Sequence, residues 1–396
     1  MFRLTGKIQH YAWGGTEYIS SILSIPNPES RPCAEYWLGT HPGGESRVML
    51  SEHSHTSLSN LINSDPERYL GGTVRRRFGG LPYLLKILDV KGMLSIQVHP
   101  TKEEAEKGFD REEALGIPID APHRNYKDRN HKPEVMVALS DFWLLHGFHP
   151  EVGKVLQGVP ELHSLLPVFE EKGLEQLYRT VMELPSDEVD ALLRPLAERI
   201  VPVYRQGGLD KSGPDFWAAR VMSDSGAVYT GIDRGVFSIY FFNVVHLKKG
   251  QAIFQGAGIP HAYLEGWNVE LMSNSDNVLR AGLTPKHIDI PELMRHTHFE
   301  SVHPRILEGD AVDGRFVYAC PVPDFSIDRI ELSPGSSMAM ESQGPEIWLQ
   351  TSGMVEWKGT VDCRTVKGDS LFTSPGECMT LTASEPSTLF RAWVPW

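Results

Sequence analysis

Four cysteines in 396 residues, at positions 33, 320, 363 and 378, form no CxxC pair and no ladder of spacings. The spacing argues against a cysteine-built zinc site, and reduced thiols in a cytoplasmic protein are expected. No apolar run is long enough to span a bilayer, and Met1-Phe2-Arg3-Leu4-Thr5-Gly6 lacks the apolar core of a signal peptide. Basic runs are also missing. With 51 acidic against 38 basic side chains the net charge is −13, which disfavours sequence-independent binding to nucleic acid. What remains is a soluble globular protein, too long for one compact unit.

Short apolar runs broken by Gly, Pro and Asn dominate up to about residue 149. Strands are expected at 36–40, 82–89, 93–99, 135–139 and 142–145. One helix interrupts them after His99-Pro100, where Thr101 and Glu104 form a capping box. From 150 to 226 the pattern turns helical. Val189, Leu192, Leu193, Leu196 and Ile200 make one stripe behind Ser186, with Pro195 expected to bend it, and Leu162, Leu165, Leu166 and Phe169 make another. Strands resume at 236–242 and 244–247, and Thr284-Pro285 opens a short helix. The fold class is therefore mainly β with a helical insertion. The expected division is 1–149 and 227–308 for one β unit, 150–226 for the insertion and 309–396 for a second β unit. Residues 250–261 align without gaps on 368–379, matching two glycines and Phe254 with Phe372. If the repeat is real, Met379 stands where His261 does, and the second unit binds no metal.

The chemistry concentrates in few places. Alternation along 93–99 sends Ser95, Gln97 and His99 to one face. Such a face is either wet or satisfied by a cation. Glu134 stands where a loop enters the strand 135–139, and His261 follows the turn glycine Gly258. Singly, these are a surface carboxylate and a hydrogen-bonded core histidine. Together, two imidazoles, one carboxylate and one amide oxygen suit a divalent first-row ion. The two-histidine, one-carboxylate core also fits non-haem iron, and the added Gln favours zinc. Glu270, Asp276 and Arg280 are either an ion-pair network or the wall of a sugar or phosphate pocket. Lys86 points outward as a solvated residue or inward toward an anion. Lys132, two residues from Glu134, suits an anionic substrate.

Gly250, Gly258 and His261 resemble the second motif of the cupin barrels, with Gly256 in place of its proline and Glu265 in place of its asparagine. More specifically, Ser95 to Pro100, Asn130 to Glu134, Pro260 to Leu264 and Ser275 to Thr284 resemble the type I mannose-6-phosphate isomerases. Tyr11 to Gly15 and Ala34 to Pro42 extend the similarity. Tyr36 and Ser273-Asn274 depart from the usual family residues. The resemblance implies cupin-type β-barrel (jelly-roll) domains, the second without metal ligands. It implies one zinc ion per chain on Gln97, His99, Glu134 and His261. It also implies interconversion of mannose 6-phosphate and fructose 6-phosphate through a cis-enediol. His131, Lys132, Glu270, Asp276 and Arg280 become the expected catalytic groups. Ser95 and Lys86 are expected at the 6-phosphate, with Tyr263, Glu35 and Trp13 as further substrate contacts. The expected partner is a small phosphosugar and the expected state a monomer. A metal-dependent cupin oxygenase and a non-catalytic phosphosugar-binding cupin are the rival classes.

Overall fold

The computed structural model describes residues 1–224 and 231–395. Among these, the chain is mostly β-sheet with helices, and the stretch from residue 152 to 241 is helical throughout its regular elements. The expected boundary at 226/227 lies outside the described residues.

The strand His261–Ser273 organises the site. It is thirteen residues long and switches partners partway. Its first residues pair with Phe142–Phe148, and His261 also faces Gln97 of the strand Ile96–Val98. Its later residues pair with Tyr83–Val90 on one side and Glu134–Ala138 on the other. An irregularity between Tyr263 and Glu265 makes the change of partner, as bulges do where a strand turns a corner. Gly266 follows with φ +127°, and a Cβ there would lie 2.6 Å from the Asp141 carbonyl oxygen. A larger residue would block the turn.

Alternation decides what faces what. Ala262, Leu264, Ile96 and Val98 are buried in one core with Leu162, Val189, Leu193, Leu196, Ile200 and Trp217 of the helical segment. Their neighbours His261, Tyr263 and Gln97 consequently point the other way, into the space enclosed by the strands. The helical segment thus packs on the back of the strands that carry the site.

Several local expectations hold. Strands form at Glu35–Gly39, Tyr83–Val90, Glu134–Ala138 and Phe142–Phe148. Thr101 caps the helix Lys102–Ala114 by accepting from the Glu104 N–H. Others need correction. The strand expected over 93–99 is shortened to Ile96–Val98. The strand expected at 236–242 is a helix, Gly235–Phe241, with all seven residues buried. A short, uniformly apolar run has no period to read, and burial on every side suits either element. Here Asp233 tips the choice by accepting from the Gly235 N–H at 2.7 Å. The strand proper begins at Phe242. The helix expected at Thr284 begins instead at Ile290, where Asp289 accepts from the Glu292 N–H and Pro291 sits in the first turn. Ser186 is the first helical residue rather than the cap, and its helix runs through Pro195 and Pro202 to Arg205.

A second, nine-stranded sheet joins the ends of the chain. Ser370–Thr373 lies between Glu346–Ser352 and Phe2–Thr5, which in turn pairs with Arg47–Ser51. Residues 2–5 and 47–57 are therefore part of the sheet built largely by the terminal ninety residues. No helix among the described residues is long and apolar enough to cross a membrane.

Candidate functional site

His99, Glu134 and His261 are brought together with ligand atoms within 4.8 Å of one another, all three buried. Glu134 opens its strand, directly across from Gln255 and Met272. Its Oε1 lies 3.5 Å from His99 Nε2 and its Oε2 lies 3.3 Å from His261 Nε2. The opposite nitrogens fix the protonation. His99 Nδ1 donates to the Asn277 carbonyl at 2.9 Å, and His261 Nδ1 donates to the Ile259 carbonyl at 2.9 Å. A carbonyl only accepts, so both protons sit on Nδ1 and both Nε2 atoms carry lone pairs. Among the described residues neither Nε2 has a hydrogen-bond partner, and both are buried. Two imidazole lone pairs and a carboxylate thus converge with no proton among them, an arrangement that a divalent cation satisfies. Burial pushes His99 down to about 4, which keeps it neutral. Burial alone would raise Glu134, but the Lys132 ammonium beside it opposes that rise, and the carboxyl is held well below its usual range. Gln97 lines the same cleft, in register between His261 and Arg280.

The cleft beside this cluster is a cavity of about 220 Å³. Lys86 reaches it from the strand Tyr83–Val90 and points inward, with the anion that orientation demands. Its Nζ lies 2.9 Å from Glu270 Oε2 and 3.6 Å from Glu35 Oε2. Tyr263 donates to the other oxygen of Glu270 at 2.8 Å. Burial raises the Glu270 carboxyl, with Lys86 opposing and Glu134 and Glu35 adding to the rise. Lys132 Nζ sits 3.0 Å from Glu134 Oε1. Asp276 pairs with His41 at 3.3 Å; burial raises its carboxyl, but His41, Lys132 and Lys86 bring it below its ordinary value. Arg280 also lines the cleft, and burial lowers its affinity for protons.

Three expected residues are placed elsewhere. His131 Nε2 lies 3.0 Å from Asp324, beside the terminal sheet, rather than in the cleft. Ser95 lies just outside the strand Ile96–Val98 and does not line the cavity. The Trp13 ring stacks on Tyr11, and it is Tyr11 that reaches the cleft. The cleft also contains Trp37, His41 and Ser275, which residue-by-residue reading did not single out. Trp37 was within reach: it is two residues from Glu35 on the same strand and so shares its face. His41 comes from the following loop, which no periodicity could aim.

The family model for the phosphomannose isomerase type I catalytic domain matches residues 1–151. The mannose-6-phosphate isomerase of Escherichia coli (strain K12) is 36% identical over 389 residues, 95% of each chain. The Homo sapiens mannose-6-phosphate isomerase is 33% identical over 428 residues, 99% of this chain and 98% of that one. The Salmonella typhimurium mannose 6-phosphate isomerase, solved with fructose 6-phosphate and zinc, has a TM-score of 0.88 at 33% identity and covers both chains fully.

Proposed function

This chain belongs to the type I mannose-6-phosphate isomerase family, and we propose that it interconverts mannose 6-phosphate and fructose 6-phosphate using one zinc ion per chain. The observation that carries the reading is the pair of buried, unpartnered imidazole nitrogens facing one carboxylate. His99, Glu134 and His261 would hold the ion, with Gln97 as the fourth ligand. Zinc, when bound, supplies Lewis-acid polarisation of the sugar oxygens.

Aldose–ketose isomerisation moves a proton between C1 and C2 through a cis-enediol. Glu270 is our choice for the proton carrier. It is a buried carboxyl whose proton affinity burial raises against the opposing Lys86 charge, and Lys86 and Tyr263 fix both its oxygens. Lys132 orients Glu134 and places positive charge near the developing oxyanion. His41 and Asp276 form a polar pair on the wall, suited to the sugar hydroxyls and ring opening. The phosphate reading moves from Lys86 and Ser95 to Arg280. Lys86 is committed to two carboxylates, whereas Arg280 has no ion-pair partner among the described residues.

The same reading makes the metal-bearing strands a cupin-type jelly roll with a helical insertion, and the terminal unit a metal-free relative. The repeat supports this. Gly250 and Gly368 have φ of 89° and 92°, and Gly258 and Gly376 have 78° and 77°. Glu134 pairs with Gln255 as Glu346 pairs with Thr373, at equivalent positions of the repeat. Met379 replaces His261, and Arg391 Nη1 lies 3.4 Å from Glu346. The thiols are all free, in keeping with a cytoplasmic enzyme, which we take to be a monomer acting on a small phosphosugar.

A coupled assay with mannose 6-phosphate, before and after chelation and with zinc restored, tests the proposal. Turnover lost with the chelator and regained with zinc is the expected result. No turnover in metal-loaded protein would favour a phosphosugar-binding module. Iron rather than zinc in the purified protein would favour an oxygenase.

A further inference from the structure

We propose that Asn277 is a positioning residue for the metal centre. Its carboxamide locks the loop leading to Lys132 and Glu134 onto the segment that orients His99. The inference rests on the reading of His99, Glu134 and His261 as metal ligands.

Asn277 is 1% exposed and lies between the strands His261–Ser273 and Leu279–Gly282. Its main chain serves one ligand: the Asn277 carbonyl accepts the His99 Nδ1–H at 2.9 Å, leaving Nε2 free to face Glu134. Its side chain serves the other. Oδ1 accepts from the Lys127 N–H at 2.7 Å and the Asp128 N–H at 3.3 Å. Nδ2 donates to the main-chain oxygens of Asp128 and Asn130, each at 2.8 Å, and to Asp128 Oδ1 at 3.3 Å. One side chain thereby uses both its donor and its acceptor on a single loop.

Asp128 completes the latch from the other side. Its carboxylate accepts from Ser275 Oγ at 2.9 Å, from the Asp276 N–H at 2.8 Å and from the Asn130 N–H at 2.8 Å. Only Pro133 and two further residues separate Asn130 from Glu134, and proline restricts how that short connection can bend. A shift of the latch therefore reaches Lys132 and Glu134 on one side and His99 and Asp276 on the other. Groups that orient metal ligands from behind typically change metal affinity by roughly 10- to 100-fold when altered.

Only an amide meets these demands. In Asn277→Asp the shape is kept, but the second oxygen would face the Asp128 carbonyl, the Asp128 carboxylate and the Asn130 carbonyl, three acceptors with no proton between them.

The test is zinc affinity by competition with a chromogenic chelator, on wild type and Asn277→Asp, with folding followed by circular dichroism. Folded Asn277→Asp is expected to bind zinc about 10- to 100-fold more weakly. Wild-type affinity in the variant would overturn the proposal, as would lowered thermal stability of the metal-free protein with zinc affinity unmoved. Should Asn277→Asp not fold, Asp128→Asn is read in its place with the same expectation and the same refutation. A wild type that fails to bind zinc would instead refute the metal reading beneath it.

Discussion

Replacing Lys86 with methionine tests the electrostatics of the cleft most directly. The methionine stem preserves packing against Trp37, whose ring centre lies 5.2 Å from the ammonium, and removes only the charge. Two carboxylates then lose their cation, one at 2.9 Å and one at 3.6 Å, in a site where Lys86 is 6% exposed. Breaking a buried pair by deleting one partner costs roughly 3–5 kcal/mol. Glu270 can escape by taking up a proton. That costs about 1.4 kcal/mol for each pH unit above the ordinary carboxyl value, hence about 5 kcal/mol near pH 8 and under about 2 kcal/mol near pH 5.5. The sign is fixed by the direction of the shift. Glu270 is already raised in the folded protein, and losing Lys86, which lowers it, raises it further. A carboxyl raised on folding destabilises above its unfolded value and relaxes as pH falls. Urea unfolding of metal-free wild type and variant should therefore show a gap of about 3–5 kcal/mol near pH 8 that shrinks to about 2 kcal/mol near pH 5.5. A gap under about 1 kcal/mol near pH 8, or one that widens with acid, would refute the argument.

Further outcomes follow from other groups. Glu134→Gln removes the only carboxylate of the buried cluster and leaves Lys132 without its partner, so zinc measured by metal analysis should fall from one per chain to near none, with turnover. Burial raises Glu346 to about 7, with Arg391 opposing, so its contribution to stability is present in acid and is lost as pH rises to about 7. Relative to Glu346→Gln, the wild type should lose on the order of 3 kcal/mol between about pH 4.5 and 8, read by denaturant titration. Gly258→Ala and Gly376→Ala both force a left-handed backbone, at about 1–2 kcal/mol each. Gly258→Ala should unfold at lower urea, because its Cβ would also lie 2.6 Å from the His298 ring whereas nothing lies near the other.

Local physics was legible in the sequence to the extent that one residue's neighbours in the chain are also its neighbours in space. The Thr101 cap and the strand over 83–90 follow from hydrogen-bonding side chains and from the two-residue period of a strand. Candidate metal ligands could be proposed because chemistry limits which side chains hold a divalent ion, and because their stretches resemble a known family. What the chain order could not decide was mutual placement. Val236 to Phe241 could be helix or strand until the surrounding core and Asp233 made it a helix. Lys86 could face water or the interior until Glu270 and Glu35, 184 and 51 positions away, supplied its counter-charges. His131 sits beside Lys132 in the chain, yet it turns to Asp324 while Lys132 turns to Glu134. Composition and period determine which face a side chain takes on its own element. Only the packed fold determines what that face meets, because the partners of a buried charge come from whichever strands the topology sets beside it.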